Sequence, residues 1–191
     1  MHPEVRQEGP GSCPECKMDL VMEGGKPKES KTSFKDFLPL IAMFAIVLAF
    51  TGWRQSQLVS SDLFYGMQDF MAAFFIVFGL LKVINVKAFA EAYASYDLIA
   101  ARSHTYGLIY PFLELTLGAF YLFRLYPLQT NIVTLILMSI GAIGVSSKLL
   151  KKQKIVCACL GTVFKVPMTW VTFGEDVLMA VMAAFMIFNL V

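Results

Sequence analysis

The sequence predicts an all-α, polytopic membrane protein: a bundle of about five spanning helices that follows a small N-terminal segment. Composition is the first observation behind this prediction. Of the 191 residues, 57% are apolar and only 16% are charged, whereas soluble domains are about 45–50% apolar and about 25% charged. The second observation is that the apolar residues form long, nearly uncharged blocks, which leave no polar outer face for a soluble helix.

Five of these blocks are long enough, with their flanks, to cross a hydrocarbon core that needs about 20 helical residues. Strands are disfavoured because the blocks are continuous rather than alternating. The predicted spans cover residues 37–53, 63–81, 104–123, 125–147 and 167–191.

The distribution of Lys and Arg predicts the orientation of the spans. Only Arg54 and Arg124 lie in the connections on one side, and the other fourteen basic residues lie on the opposite side. Cytoplasmic segments carry such an excess, so we expect an inner-membrane protein with its N-terminus in the cytoplasm and its C-terminus outside. The first 30 residues contain no apolar stretch, so residues 37–53 are expected to be an uncleaved anchor. The expected surroundings are the lipid bilayer, and the net charge of +2 gives no indication of a nucleic-acid partner.

The connection at residues 83–103 has an apolar helical face. Phe89, Tyr93, Tyr96 and Ile99 recur at helical spacing. We expect a short amphipathic helix at the cytoplasmic membrane interface, with its tyrosines at headgroup depth. An ordinary surface connection is the alternative.

A cysteine pair lies near the N-terminus. Two residues separate Cys13 from Cys16, and this spacing lets a tight turn direct both sulfur atoms at one tetrahedral ion. His2 and Met18 are further donors nearby. A short segment with almost no apolar residues cannot fold by burial alone, so a bound metal would stabilise it. A redox pair and an unstructured tail are the alternatives.

The second cysteine pair, Cys157 and Cys159, lies in a lysine-rich connection before the last span. A single intervening residue makes an intramolecular disulfide strained, while two thiolates can chelate one soft cation. The surrounding lysines favour the thiolate form. The sequence therefore predicts thiol redox or metal relay at this pair, and two small buried residues near a helix end are the alternative.

Four carboxylates lie within the predicted spans: Asp69, Glu114, Glu175 and Asp176. Charged groups in a bilayer are costly, so each is a functional hypothesis. Glu114 could pair with a cation of a neighbouring span or be protonated. A methionine stripe continues from Glu175 at helical spacing and could pass a soft cation, although packing is the commoner use of methionine; it consists of Met179, Met182 and Met186.

The start of the chain resembles the small heavy-metal-binding domain found at the N-termini of copper-type P-type ATPases. The resemblance is carried by MHPEV, PGSCPEC and MDL within residues 1–20. It implies a soft or borderline metal ion, Cu(I) or Zn(II), with the ligands His2, Cys13, Cys16 and Met18. Lys17 replaces the glycine of the family pattern, and the first cysteine of that pattern would fall two residues before Met1. Either the chain lacks that ligand or its true start lies upstream.

The remainder resembles the MauE/DoxX group of redox-associated four-helix membrane proteins. The resemblance is carried by four patterns: Phe78 with Lys82, Phe89 with Tyr93 and Tyr96, Glu114-Leu115 with Gly118, and Cys157-Ala158-Cys159-Leu160-Gly161. It implies thiol or electron-transfer chemistry at the second cysteine pair. The expected organisation is a cytoplasmic metal-binding segment at residues 1–30, a first span and loop at 31–61, and a MauE/DoxX-like domain at 62–191.

These patterns favour soft-metal handling at the membrane, with a metal-donor or thioredoxin-like protein as partner. A thiol redox protein that supports maturation of a partner enzyme, of the methylamine-utilisation type, is the first alternative. A membrane scaffold is the second. An enzyme is not expected; if the chain is one, the chemistry would be thiol–disulfide exchange. The sequence contains no P-loop motif, so coupling to ATP within this chain is not expected.

Overall fold

The computed structural model describes residues 38–57, 62–150, 156–157, 166–167 and 170–190. This part of the chain is helical apart from one short strand pair, as the composition predicts. The elements are α1 (Leu38–Ser56), α2 (Leu63–Val83), α3 (Val86–Ala94), α4 (His104–Leu122), α5 (Pro127–Leu150), β1 (Val156–Cys157), β2 (Val166–Pro167) and α6 (Trp170–Leu190). β1 and β2 pair antiparallel, with Cys157 opposite Val166.

Four of the described helices are long and apolar enough to cross a membrane: α1, α2, α5 and residues 173–190 of α6. The chain is therefore a multi-pass membrane protein. The remaining predicted span, α4, has 19 residues but is not among the four. Of the five predicted spans, four helices thus meet the criteria of length and apolar composition, and α4 meets only the criterion of length. The orientation of the termini stays a prediction.

Helix α2 lies between α1 and α4. On one side, the ring of Phe44 in α1 lies 5.9 Å from the ring of Phe74. On the other side, a Cβ placed on Gly79 would lie 2.9 Å from Leu115, and one on Gly118 would lie 2.8 Å from Ile76. These two contacts pair later residues of α2 with earlier residues of α4, so the two helices are antiparallel. Glycine at both positions permits the close approach that helices in lipid favour.

Because α2 and α4 are antiparallel in this register, the end of α2 at Val83 is level with about residue 111 of α4. The first two turns of α4 therefore extend beyond α2, and α3 packs against them. A Cβ on Gly107 would lie 3.2 Å from Ala90 of α3, and the rings of Tyr93 and Tyr110 are 4.5 Å apart.

The predicted helix in the connection is confirmed, and its tyrosines pack against protein, while their depth in the membrane stays a prediction. Phe89, Tyr93 and Tyr96 are buried in a cluster with Tyr110, so the aromatic face packs on α4. Only Ile99 of the predicted face is exposed. Helix α3 ends at Ala94, and the Asp97 carboxylate then accepts hydrogen bonds from the backbone of Ile99 and Ala100, which forms a turn instead of a longer helix.

Helices α5 and α6 form the second close pair. A Cβ on Gly141 of α5 would lie 3.3 Å from the carboxylate of Asp176 in α6. One turn later, a Cβ on Gly144 would lie only 2.6 Å from the carbonyl oxygen of Tyr96. Glycine at position 144 therefore lets α5 contact the turn after α3 directly.

Candidate functional site

A buried ion pair joins α2 to α4. The Nζ atom of Lys82 donates hydrogen bonds to both carboxylate oxygens of Glu114, at 2.5 and 2.7 Å. The two side chains are 9% and 3% exposed. Lys82 is in the last turn of its helix, while Glu114 is near the middle of α4. The offset between the two helices brings them to the same level.

Aromatic rings enclose the ammonium group of this pair. Lys82 Nζ lies 5.2 Å from the centre of the Tyr110 ring and 5.5 Å from that of Phe89. Ring faces attract a cation, and the attraction is stronger when water is excluded. The pair is therefore held by two charge-assisted hydrogen bonds and by two rings.

Two further carboxylates, Glu175 and Asp176, lie beside the ion pair. They are consecutive residues of α6, and both line a small cavity together with Lys82 and Glu114. The cavity has a volume of about 40 Å³. We call these four side chains the Lys82 cluster. It contains three carboxyl groups and one ammonium group, so its acidic groups outnumber its basic group.

Helix α3 and the turn after it cover the Lys82 cluster with tyrosines. Tyr93 and Tyr96 also line the cavity. The Tyr93 hydroxyl donates a hydrogen bond of 2.9 Å to the carboxylate of Asp97. Burial, reinforced by the nearby Tyr110 and Asp97, raises the pKa of Tyr93 well above its ordinary value. The phenol is thus neutral at physiological pH and remains a donor.

The strand that contains Cys157, β1, lies close to α3, the helix that covers the Lys82 cluster. Cα atoms of β1 lie within 8 Å of Cα atoms of α3, and α3 packs over the Lys82 cluster. The backbone of Cys157 is therefore at the end of the bundle where the charged side chains are buried. Cys159, the other member of the predicted pair, lies outside the described residues, as do all of the predicted N-terminal ligands, His2, Cys13, Cys16 and Met18.

Asp69 is part of a different group, near the start of α2. Its carboxylate is fully buried, 3.3 Å from Arg54 of α1 and 3.7 Å from Arg124 of the α4–α5 connection. Gln55 donates a further hydrogen bond to it, at 3.3 Å. The guanidinium of Arg124 also stacks 4.2 Å from the ring centre of Tyr65. This cluster ties α1 and the α4–α5 connection to α2, and we call it the Asp69 cluster.

The two arginines of the Asp69 cluster are those that the sequence places alone on one side of the membrane. The structure brings both to one carboxylate, so the connections after α1 and after α4 are at the same end of the bundle. This agrees with the alternation of the helices. It leaves open which end is cytoplasmic.

The methionine stripe of α6 faces the core. Met179 and Met186 are 1% and 0% exposed and belong to the main apolar cluster, with Met182 packed against it. Their surroundings are those of packing residues in a helix bundle. Passage of a soft cation along them stays a prediction. Among the described residues, no group of three or more His, Cys, Asp or Glu side chains is arranged to hold a metal ion.

Sequence reasoning missed one member of the Lys82 cluster as a site residue, Lys82 itself. Lys82 looks like a basic residue of the connection because it ends an apolar run. A usable signal exists: a carboxylate within a span, such as Glu114, requires a partner. Lys82 is the basic side chain in the last turn of α2, the preceding long apolar helix.

The fold and this site define a polytopic helical membrane protein with a charged cluster buried inside its bundle. Residues 60–189 match the family of the methylamine utilisation protein MauE, which is about two thirds of the chain, and the chain belongs to this family. Residues 1–23 match the heavy metal binding domain. The chain is thus a fusion of the two, as the sequence motifs indicate. Comparisons with curated proteins and with solved structures find no match.

Proposed function

We propose that this protein captures a soft metal ion, Cu(I) or Zn(II), at its N-terminal segment and handles it at the membrane through Cys157 and Cys159. The observation that carries the proposal is the match of residues 1–23 to a heavy metal binding domain on a chain that is otherwise a MauE-family membrane protein. Cys13, Cys16, His2 and Met18 are the proposed ligands of the first site. Two cysteines, one imidazole and one thioether are soft to borderline donors, which suit these ions.

The second proposed site is the pair Cys157 and Cys159. The backbone of Cys157 lies in β1, against α3, at the end of the bundle where the Lys82 cluster is buried. Two thiols that bind a metal must lose their protons. Placing the pair beside lysines 148, 151, 152 and 154 favours this loss, because a positive field stabilises thiolates.

The test is the metal content of the full chain purified in detergent. We compare wild type with the double variants Cys13→Ser/Cys16→Ser and Cys157→Ser/Cys159→Ser. Each double variant should lose part of the bound soft metal. Ser12→Ala, next to the first pair, is the matched control and should retain it. If all versions are metal-free after loading with Cu(I) and with Zn(II), the proposal is wrong.

Thiol–disulfide exchange with a thioredoxin-like partner is the second candidate function, and the MauE match favours it. A thiolate of the pair would attack a disulfide of the partner, whose leaving sulfur takes a proton. The second thiolate would then displace the partner from the mixed disulfide. The partner leaves as a dithiol, Cys157 and Cys159 are left as a disulfide, and the reverse sequence oxidises a partner.

Metal handling and thiol–disulfide exchange can be distinguished, because only exchange passes through a mixed disulfide that can be trapped. For exchange, Cys159→Ser should accumulate a mixed disulfide with a thioredoxin-like protein. Its formation should not depend on Cys13 or Cys16. If thiol alkylation finds Cys157 and Cys159 fully reduced in cells under every condition, exchange is excluded. Metal loss from the Cys157→Ser/Cys159→Ser variant would then identify metal handling as the role of the pair.

A further inference from the structure

The Lys82 cluster has more negative than positive groups in a space that is largely closed to water. Glu114 uses both of its oxygens to accept hydrogen bonds from Lys82. One ammonium group is therefore already matched with one carboxylate. Among the described residues, Glu175 and Asp176 lie beside this pair without a cation of their own.

Glu175 is the less satisfied of the two. It is 7% exposed, it lines the cavity, and its Oε1 atom has no hydrogen-bond partner among the described residues. A buried carboxylate that is ionised and unpaired costs several kcal/mol (about the penalty for one desolvated ion). A carboxyl group that holds a proton avoids this cost and can also donate a hydrogen bond.

Within the part of the chain that the structure describes, the groups that face Glu175 supply little additional positive charge. Helix α2 contributes Lys82, whose hydrogen bonds go to Glu114 of α4. Helix α4 also contributes Tyr110, and α3 with its following turn contributes Tyr93, Tyr96 and, beneath them, Asp97. Helix α5 contributes no titratable group to the cavity wall, where Met138 and Gly141 lie. The remaining neighbour, Asp176, is itself acidic.

We propose that the Glu175–Asp176 carboxyl pair is a proton-binding site, which holds an exchangeable proton in the cavity beside the Lys82–Glu114 ion pair. The cavity of about 40 Å³ has room for a water molecule that could exchange this proton. The positive charge of Lys82 partly stabilises an ionised carboxylate beside it, so release of the proton is possible. This proposal goes beyond metal or thiol handling and does not depend on it.

The experiment uses infrared spectroscopy of the full chain in lipid nanodiscs. A protonated carboxylic acid has a carbonyl stretch that is separate from the amide and carboxylate bands and shifts in heavy water. Wild type should show this band at neutral pH and lose it on alkaline titration. Glu175→Gln should lose the band, and Asp176→Asn should weaken or shift it. Glu91→Gln, which changes an exposed residue of α3, is the matched control and should leave it unchanged.

Two results would overturn the proposal. The first is a carbonyl band that is the same in wild type and in both cluster variants. The second is a Glu175→Gln protein that fails to fold while Glu91→Gln folds normally. Glutamine has the shape and neutral charge of a protonated glutamic acid, so a fold that rejects it would require the ionised carboxylate.

Discussion

Replacing Lys82 by Met should destabilise the protein more than replacing Glu114 by Gln, although the two residues form one ion pair. Lys82→Met leaves three carboxylates around the cavity, with no cation among the described residues that line it. Glu114→Gln leaves the ammonium group with Glu175 and Asp176 still beside it. The asymmetry follows from the composition of the Lys82 cluster and would not arise in an isolated pair.

The magnitudes come from the burial of the pair and its hydrogen bonds. Removing one partner of a buried ion pair costs about 3–5 kcal/mol, and we expect this loss for Lys82→Met. Glu114→Gln removes hydrogen bonds but leaves a compensated charge, so its cost should be nearer about 1–3 kcal/mol. The double variant Lys82→Met/Glu114→Leu should recover part of the loss, because an apolar pair of similar volume avoids the desolvation penalty of Glu114, while Glu175 and Asp176 still lack the cation.

The assay is equilibrium unfolding in mixed detergent micelles, followed by circular dichroism. Lys87→Met is the matched control, because Lys87 is exposed on α3 and such substitutions change stability by about 0.5 kcal/mol or less. Equal losses for Lys82→Met and Lys87→Met would refute the burial argument. Equal losses for Lys82→Met and Glu114→Gln would refute the inference that Glu175 and Asp176 compensate the ammonium charge once Glu114 is replaced.

Two further predictions concern the packing around α3. Gly144→Ala should destabilise by about 1–3 kcal/mol in the same assay, because its Cβ would lie 2.6 Å from the Tyr96 carbonyl oxygen. Gly174→Ala is the matched control, because no atom lies within 4 Å of a Cβ placed at that position. It should stabilise the helix by about 0.5–1 kcal/mol. Equal effects of the two substitutions on stability would contradict the close contact at Gly144. Burial raises the pKa of Tyr93, so the stability that its neutral phenol contributes is complete below the ordinary tyrosine pKa of about 10 and is lost as the pH rises above it. Tyr93→Phe should therefore lose less stability between neutral and alkaline pH than wild type. Tyr126→Phe, which changes an exposed residue, is the control and should behave like wild type. Identical dependence of stability on alkaline pH for Tyr93→Phe and wild type would refute this assignment.

The helices could be predicted closely because each apolar block is interrupted by polar residues that begin the next helix. Asp62, Asn85 and Ser103 accept hydrogen bonds from the first turns of α2, α3 and α4. A local signal of this kind is fully contained in the sequence. The predicted and observed bounds of α2 and α4 accordingly differ by one or two residues, whereas α3 ends before the predicted helical face does.

The candidate site was only half predictable, since its geometry depends on the offset between α2 and α4. By position in the sequence, Glu114 is in the middle of a span and Lys82 is at the end of one. The offset is set by the contacts of Gly79 with Leu115 and of Gly118 with Ile76, which no helical periodicity reveals. For the same reason the burial of Tyr93 against Tyr110 could not be predicted, since it requires α4 to extend beyond the end of α2.

The spacing of the two buried clusters along α2 has a consequence for the surrounding membrane. Asp69 and Lys82 are thirteen residues apart, which corresponds to about 20 Å of helix. A typical hydrocarbon core is about 30 Å thick. At least one of the two clusters must therefore lie at the depth of the hydrocarbon. Burial of the Asp69 carboxylate and of the Lys82–Glu114 pair inside the bundle, rather than thinning of the lipid, keeps these charges away from the acyl chains.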